Sequence, residues 1–117
     1  LGGPDDFEKS EELKNEFKNS QVSNLCGKLS LIESAGLMKN AKRNYVNDSA
    51  PLHLASAVNA AVRVFYCSTS PKFGFGPLSD DSQIIEVSNL ACKPCGLHGH
   101  KACPKGHFKC GNDLTLG

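Results

Sequence analysis

The sequence predicts an α/β fold, a parallel sheet with helices on its faces, followed by an irregular Cys-rich loop at the carboxyl end. Two observations lead there. Short β-prone runs alternate with helical stretches over residues 1–87, and a crossing helix returns the chain to the same end of the sheet, which makes neighbouring strands parallel. From Ser88 onward Cys, Gly, Lys, His and Pro dominate and no apolar periodicity survives. Residues 1–87 therefore read as the core and residues 88–117 as a Cys/His-rich loop of the same domain.

Each element has its own signal. Leu1-Gly2-Gly3-Pro4 reads as the end of a strand entering a turn, so the chain is expected to be a piece of a longer protein. The first helix starts near Asp5-Asp6, whose carboxylates suit free N–H groups, and runs through Phe7, Leu13 and Phe17 to about Lys18. Asn19-Ser20-Gln21 ends it, and Val22 to Leu25 is a short strand candidate. In the second helix, Ser30 followed by Glu33 forms a capping box, and Leu31, Ala35 and Met38 make an apolar stripe of helical period. Asn40 to Lys42 closes it, and the next strand is Arg43 to Asn47. The third helix opens at Ser49 with Pro51 in its first turn, where a missing N–H costs nothing, and extends to about Asn59. Val62 to Tyr66 is a β-branched and aromatic strand, residues 67–82 a Ser/Pro/Gly/Asp-rich loop, and Gln83 to Val87 a last strand.

Composition narrows the function classes. The 117 residues, 12.5 kDa, leave room for one domain. Thirteen Lys+Arg against 12 Asp+Glu give a net charge of +1, so no electrostatic case exists for wrapping nucleic acid. No apolar run approaches the roughly 20 residues needed to span a bilayer, and no secretory leader is read.

In parallel sheets ligands bind outside the carboxyl ends of the strands. The loops to inspect are Gly2–Asp6, Leu25–Ser30, Asn47–Pro51 and Cys67–Gly76. In Asn47-Asp48-Ser49-Ala50-Pro51-Leu52-His53 a strand hands over to a helix. Free amides and the helix dipole there favour an anion such as a diphosphate, Ser49 adds a donor, and His53 shares its face. The plainer alternative is that Asp48 and Ser49 only cap the helix. Ser68 and Thr69 could face phosphate or form an ordinary hydroxyl turn. Asp6 could hold a ribose or cap its own turn. Lys28 could approach phosphate or stay solvated.

Six cysteines are present, four of them in the cluster Cys92, Cys95, Cys103 and Cys110, with His98, His100 and His107 between. Three states fit: a structural zinc on the four thiolates, two disulfides, or reduced thiols. A redox-active pair is disfavoured, because Pro94 and Gly96 place Cys92 and Cys95 in a loop. A zinc-stabilised interaction module using this tail is the alternative function.

Taken in order, Leu1-Gly2-Gly3-Pro4-Asp5-Asp6, Leu25 to Leu31, Asn47 to Ala55 and Ser68-Thr69-Ser70-Pro71 resemble the carboxyl-terminal half of the glycosyltransferase family 9 heptosyltransferases. The segments Cys92-Lys93-Pro94-Cys95 and Cys103 to Phe108, with Cys110, resemble a cysteine-bearing loop in one branch of that family. The resemblance implies a Rossmann-like, nucleotide-sugar-binding half of a GT-B enzyme that moves heptose from an ADP-heptose-like donor to the lipopolysaccharide inner core. It implies that Asp48, Ser49, Ala50 and His53 line the diphosphate and sugar, that Asp6 approaches the ribose, and that Leu29 packs near the adenine. Transfer would be inverting and need no metal. The general base and the acceptor site would lie in a preceding domain, leaving this portion inactive alone. The setting would be cytoplasmic, or peripheral at the inner face of the bacterial inner membrane. Cys67 stands where the family usually has glycine, and Ala50 where it often does. The family's usual carboxyl-terminal helix is not read after Leu116-Gly117.

Overall fold

A computed structural model describes residues 1–18, 21–74, 76–95 and 99–116. A 3-10 turn at Pro4–Asp6 leads into α1 (Phe7–Glu16), followed by α2 (Leu31–Asn40), β1 (Asn44–Asn47), α3 (Ala50–Ala57), β2 (Val62–Tyr66), a 3-10 turn at Pro71–Phe73, β3 (Ser82–Glu86) and α4 (Lys109–Asn112). The strands form a parallel sheet in the order β1-β2-β3. Asn44 pairs with Val62, and Val62 pairs with Ser82. Among the described residues β1 is bonded on one flank only, to β2.

Side-chain alternation on β2 builds the core. Val62, Val64 and Tyr66 are fully buried and face α3, while Arg63 and Phe65 on the opposite face are half-buried. Leu52 and Ala55 of α3, Met38 of α2 and Val46 of β1 complete the cluster, with Leu54 and Val58 against it. Ala55 and Ala60 are small enough for α3 to lie close to the sheet. The helix ends earlier than the sequence suggests because Asn59 turns left-handed (φ 52°). Its amide group bonds both the backbone and the carboxylate of Asp80 before β3.

The capping box on α2 forms as expected. Ser30 Oγ accepts from the Glu33 amide at 3.1 Å, and Glu33 returns the bond to the Ser30 amide at 3.0 Å. These bonds hold the Glu33 carboxyl below its ordinary range. A depressed folded-state pKa means the stabilisation is present above the unfolded value and is lost as pH falls through the folded one. Ser30→Ala is expected to cost about 1 kcal/mol at neutral pH, read by urea unfolding. Glu33→Gln should flatten the fall of the melting temperature between neutral and acid pH.

Two expectations need correction. Val22 to Leu25 is not a strand. Strand geometry requires a hydrogen-bonded neighbour, and instead Asn24 is buried against α1. Its Nδ2 donates to the Phe7 carbonyl at 3.1 Å and to Glu11 at 2.9 Å, and its Oδ1 accepts from the Cys26 amide. The first helix also stops at Glu16, with Phe17 as its C-cap, short of the expected Lys18, and no residue of α1 is buried. On α2 only Met38 of the stripe is buried, and Leu31 is 69 % exposed. Asn19-Ser20, read as ending the first helix, lie outside the described residues.

Candidate functional site

The corner between β1 and α3 is built by two residues facing different ways. Ser49 is extended (φ −158°), and its side chain makes no capping bond to α3. Asp48 looks toward the next loop instead, where Thr69 Oγ1 donates to its Oδ2 at 2.7 Å. This bond ties the loop after β1 to the loop after β2. Asn47, Asp48, Phe65, Cys67, Ser68 and Thr69 line a cleft of about 260 Å³ between them. Burial, with the negative charges of Asp48 and Glu86, pushes the Tyr66 phenol up to about 12, so it stays neutral beneath the site.

A larger cleft of about 490 Å³ lies on the other side of Asn47. Leu1, Gly2, Gly3 and Asp6 form one wall, and β1 from Asn44 to Asn47, with Arg43, Ser49 and Pro51, forms the other. The loop at residues 25–28 supports the first wall. The Gly27 amide donates to the Gly2 carbonyl at 2.9 Å, and a Cβ on Gly27 (φ +71°) would stand 3.0 Å from Pro4 Cα.

The sequence-selected residues divide accordingly. Asp48, Ser68 and Thr69 meet in the smaller cleft, and Asp6 and Ser49 in the larger. Asp6 also accepts from the Gly3 amide at 3.0 Å, closing its own turn. Ala50 and His53 are exposed on the first turn of α3. Lys28 and Leu29 line neither cleft. Lys28 lies over the Phe7 ring, 5.4 Å from its centre, and Leu29 is half-buried. Asn47, inside the loop singled out from the sequence but assigned no role there, is shared by both clefts, and Arg43, the cation of the larger one, was not singled out. Arg43 had no signal beyond its charge beside a strand.

The tail crosses the carboxyl ends of β2 and β3. Lys93 Nζ, almost wholly covered, bonds Glu86 at 2.7 Å and the Tyr66 carbonyl at 3.2 Å. Lys93→Met should speed limited proteolysis of residues 88–95 several-fold while the sheet stays protected, as read by hydrogen exchange. Cys95, Cys103 and Cys110 line one cavity with His100, whereas Cys92 does not. Amides of the following turn, Phe108 first, draw the Cys103 thiol down, while burial and then the sulfurs of Cys67, Cys95 and Cys103 push Cys110 up. Among the described residues no three His, Cys, Asp or Glu side chains are already gathered tightly enough to hold a metal. His107 Nδ1 accepts from the Lys109 amide, and His98 lies outside the described residues. No described helix is long and apolar enough to cross a membrane.

Parallel strands, flanking helices and loops gathered at one end define a Rossmann-like α/β layer. Residues 1–106 match the description of glycosyltransferase family 9 (heptosyltransferase), and the chain belongs to that family. It is 41 % identical over 64 residues to lipooligosaccharide heptosyltransferase 2 of Haemophilus influenzae, covering 55 % of this chain and 18 % of that protein. Its fold is similar to that of E. coli ADP-heptose lps heptosyltransferase II, with a TM-score of 0.66 and 24 % identity over 92 % of this chain and 33 % of that one. The chain thus spans about a fifth and one third of these relatives.

Proposed function

We propose that the chain is the donor-binding portion of an inverting heptosyltransferase that takes an ADP-heptose-like sugar nucleotide and serves a lipopolysaccharide core acceptor. The observation that carries this reading is the Asp48–Thr69 bond beside the start of α3, to which the Ser49 side chain makes no capping bond. Asp48 is drawn away from the helix start toward Thr69, so it does not cap the place where amides and the dipole favour a diphosphate. Ser49 supplies a hydroxyl, and His53, one turn on, reaches the phosphate or sugar from the same face. Ser68 and Thr69 close the opposite side. Asp6 takes the ribose hydroxyls, with Leu29 and Lys28 toward the nucleoside end and Arg43 adding positive charge.

These groups suit the leaving group, where negative charge grows as the sugar departs. Transfer here needs no metal. The general base and the acceptor site come from the part of the enzyme outside this chain, so the chain alone binds without turning over. It works in the cytoplasm or at the inner face of the bacterial inner membrane.

Titration with ADP, followed by backbone amide NMR shifts, tests the reading. Shifts at residues 47–53 and 67–69 are expected. Shifts confined to the cysteine tail would overturn it.

A further inference from the structure

We propose that Lys93 is a positioning residue for sugar-nucleotide binding. It pins residues 92–95 of the cysteine-rich tail against the loop that follows β2, and so fixes where Ser68 and Thr69 stand in the smaller cleft. The role rests on the donor-site reading and adds to it a side chain that lines neither of the two clefts.

The loop depends on anchors from outside itself. β2 ends at Tyr66, and Cys67, Ser68 and Thr69 follow it outside any helix or strand. Bonds from two sides hold them. On the side of β1, Asp48 accepts from Thr69 Oγ1 at 2.7 Å. On the side of the tail, Lys93 Nζ donates to the Tyr66 carbonyl at 3.2 Å, and the Cys95 amide donates to the Ser68 carbonyl at 2.7 Å. Lys93 and Cys95, two positions apart, thus engage Tyr66 and Ser68, also two apart, with Cys67 between them. Gly99, in a left-handed conformation (φ +73°), packs so closely on Ser68 that no side chain would fit. A shift of the tail is therefore a shift of Ser68.

Lys93 is the group that holds the tail there. Its own amide donates to the Leu90 carbonyl at 3.1 Å, and Cys95 Sγ donates to the Cys92 carbonyl at 3.2 Å, so residues 90–95 keep a turned shape of their own. The Lys93 side chain is 8 % exposed. An ammonium so covered is tolerated only with partners, and Glu86 Oε2 at 2.7 Å and the Tyr66 carbonyl provide them. Glu86 is 35 % exposed, so water screens the ion pair and its charge contributes little by itself. The geometric constraint therefore sits at the Tyr66 carbonyl, one residue before the loop. Without that bond the tail leaves the end of β2 and the loop samples other positions. A ligand then binds only the fraction of molecules whose loop is in place, and its apparent affinity falls by that fraction.

The test uses the full-length enzyme. Lys93→Met keeps the apolar stem and removes the donor. Calorimetric titration with ADP should give a Kd about 10-fold higher, the change expected when the held loop falls to about a tenth of the population. Equal ADP affinity in parent and variant overturns the proposal. Glu86→Gln still accepts from Lys93 and should stay within about 2-fold of the parent. A loss as large as that of Lys93→Met places the effect in the charge of the pair and overturns the assignment. Kinetics separate positioning from stability. In Lys93→Met the KM for ADP-heptose should rise about as much as the Kd for ADP, while the KM for the acceptor stays unchanged. A fall in kcat with both KM values unchanged reports loss of folded enzyme only and overturns the proposal. Should Lys93→Met fail to fold, the unmodified enzyme decides. Coupling is reciprocal, so saturating ADP should slow hydrogen exchange of the Cys95 amide several-fold, and exchange indifferent to ADP overturns the proposal. A parent that binds no ADP overturns the donor-site reading and the role of Lys93 with it; a parent that binds ADP beside a Lys93→Met variant that binds it equally well overturns the role of Lys93 alone.

Discussion

Asp48→Ala is expected to lower kcat/KM for sugar transfer about 100-fold when measured in the full-length enzyme. The carboxylate holds Thr69 at 2.7 Å and thereby sets the distance between the loops after β1 and β2. Without it the two loops are no longer fixed against each other, and a misplacement of about 1 Å costs a rate factor of this order. Asp48→Asn separates positioning from charge. An amide oxygen still accepts from the Thr69 hydroxyl, so this variant should keep most of the donor affinity and lose far less than alanine. Thr69→Val, which removes the bond from the other side, should lose about 10-fold. An alanine variant as active as the parent would remove the geometric basis of the proposed donor site.

Leu52→Ala should destabilise the chain by about 3–5 kcal/mol, measured by urea unfolding. Leu52 is 0 % exposed, between α3 and the buried face of β2, where Val62 and Val64 leave no room for relaxation. Domains of this size hold only about 5–15 kcal/mol in total, so the variant should be largely unfolded at 37 °C if the parent lies at the low end. Ile32→Ala, at a side chain 86 % exposed, should stay within about 0.5 kcal/mol and serves as the control. Equal losses in the two variants would mean that the core lies elsewhere.

The legible parts of the sequence were those governed by neighbours in the chain. Val62 to Tyr66 alternates and is β-branched, so β2 falls where the residues place it. Ser30 and Glu33 define the start of α2 by local hydrogen bonds, and Pro51 marks the start of α3. What was not legible depends on long-range partners. Val22 to Leu25 has strand composition, yet Asn24 commits it to α1. Phe7 and Leu13 lie on α1, none of whose residues is buried, and Leu13 is 57 % exposed. Asp48 resembles an ordinary helix cap until the fold brings Thr69 to it across 21 positions. Cys67 looked solitary because the junction beside it, where the Ser68 carbonyl accepts from the Cys95 amide, exists only in space.

The one-sided bonding of β1 has a consequence for handling the chain. A row of peptide donors and acceptors along Asn44 to Asn47 is a template for another ribbon, and a second molecule offers one. Lys42 and Arg43 put like charges at the entrance to this seam, and the Asn44 side chain is held back by the Met38 and Ala61 carbonyls. Salt screens such repulsion. Concentrated solutions should therefore polymerise sooner as ionic strength rises, a trend that light scattering would record.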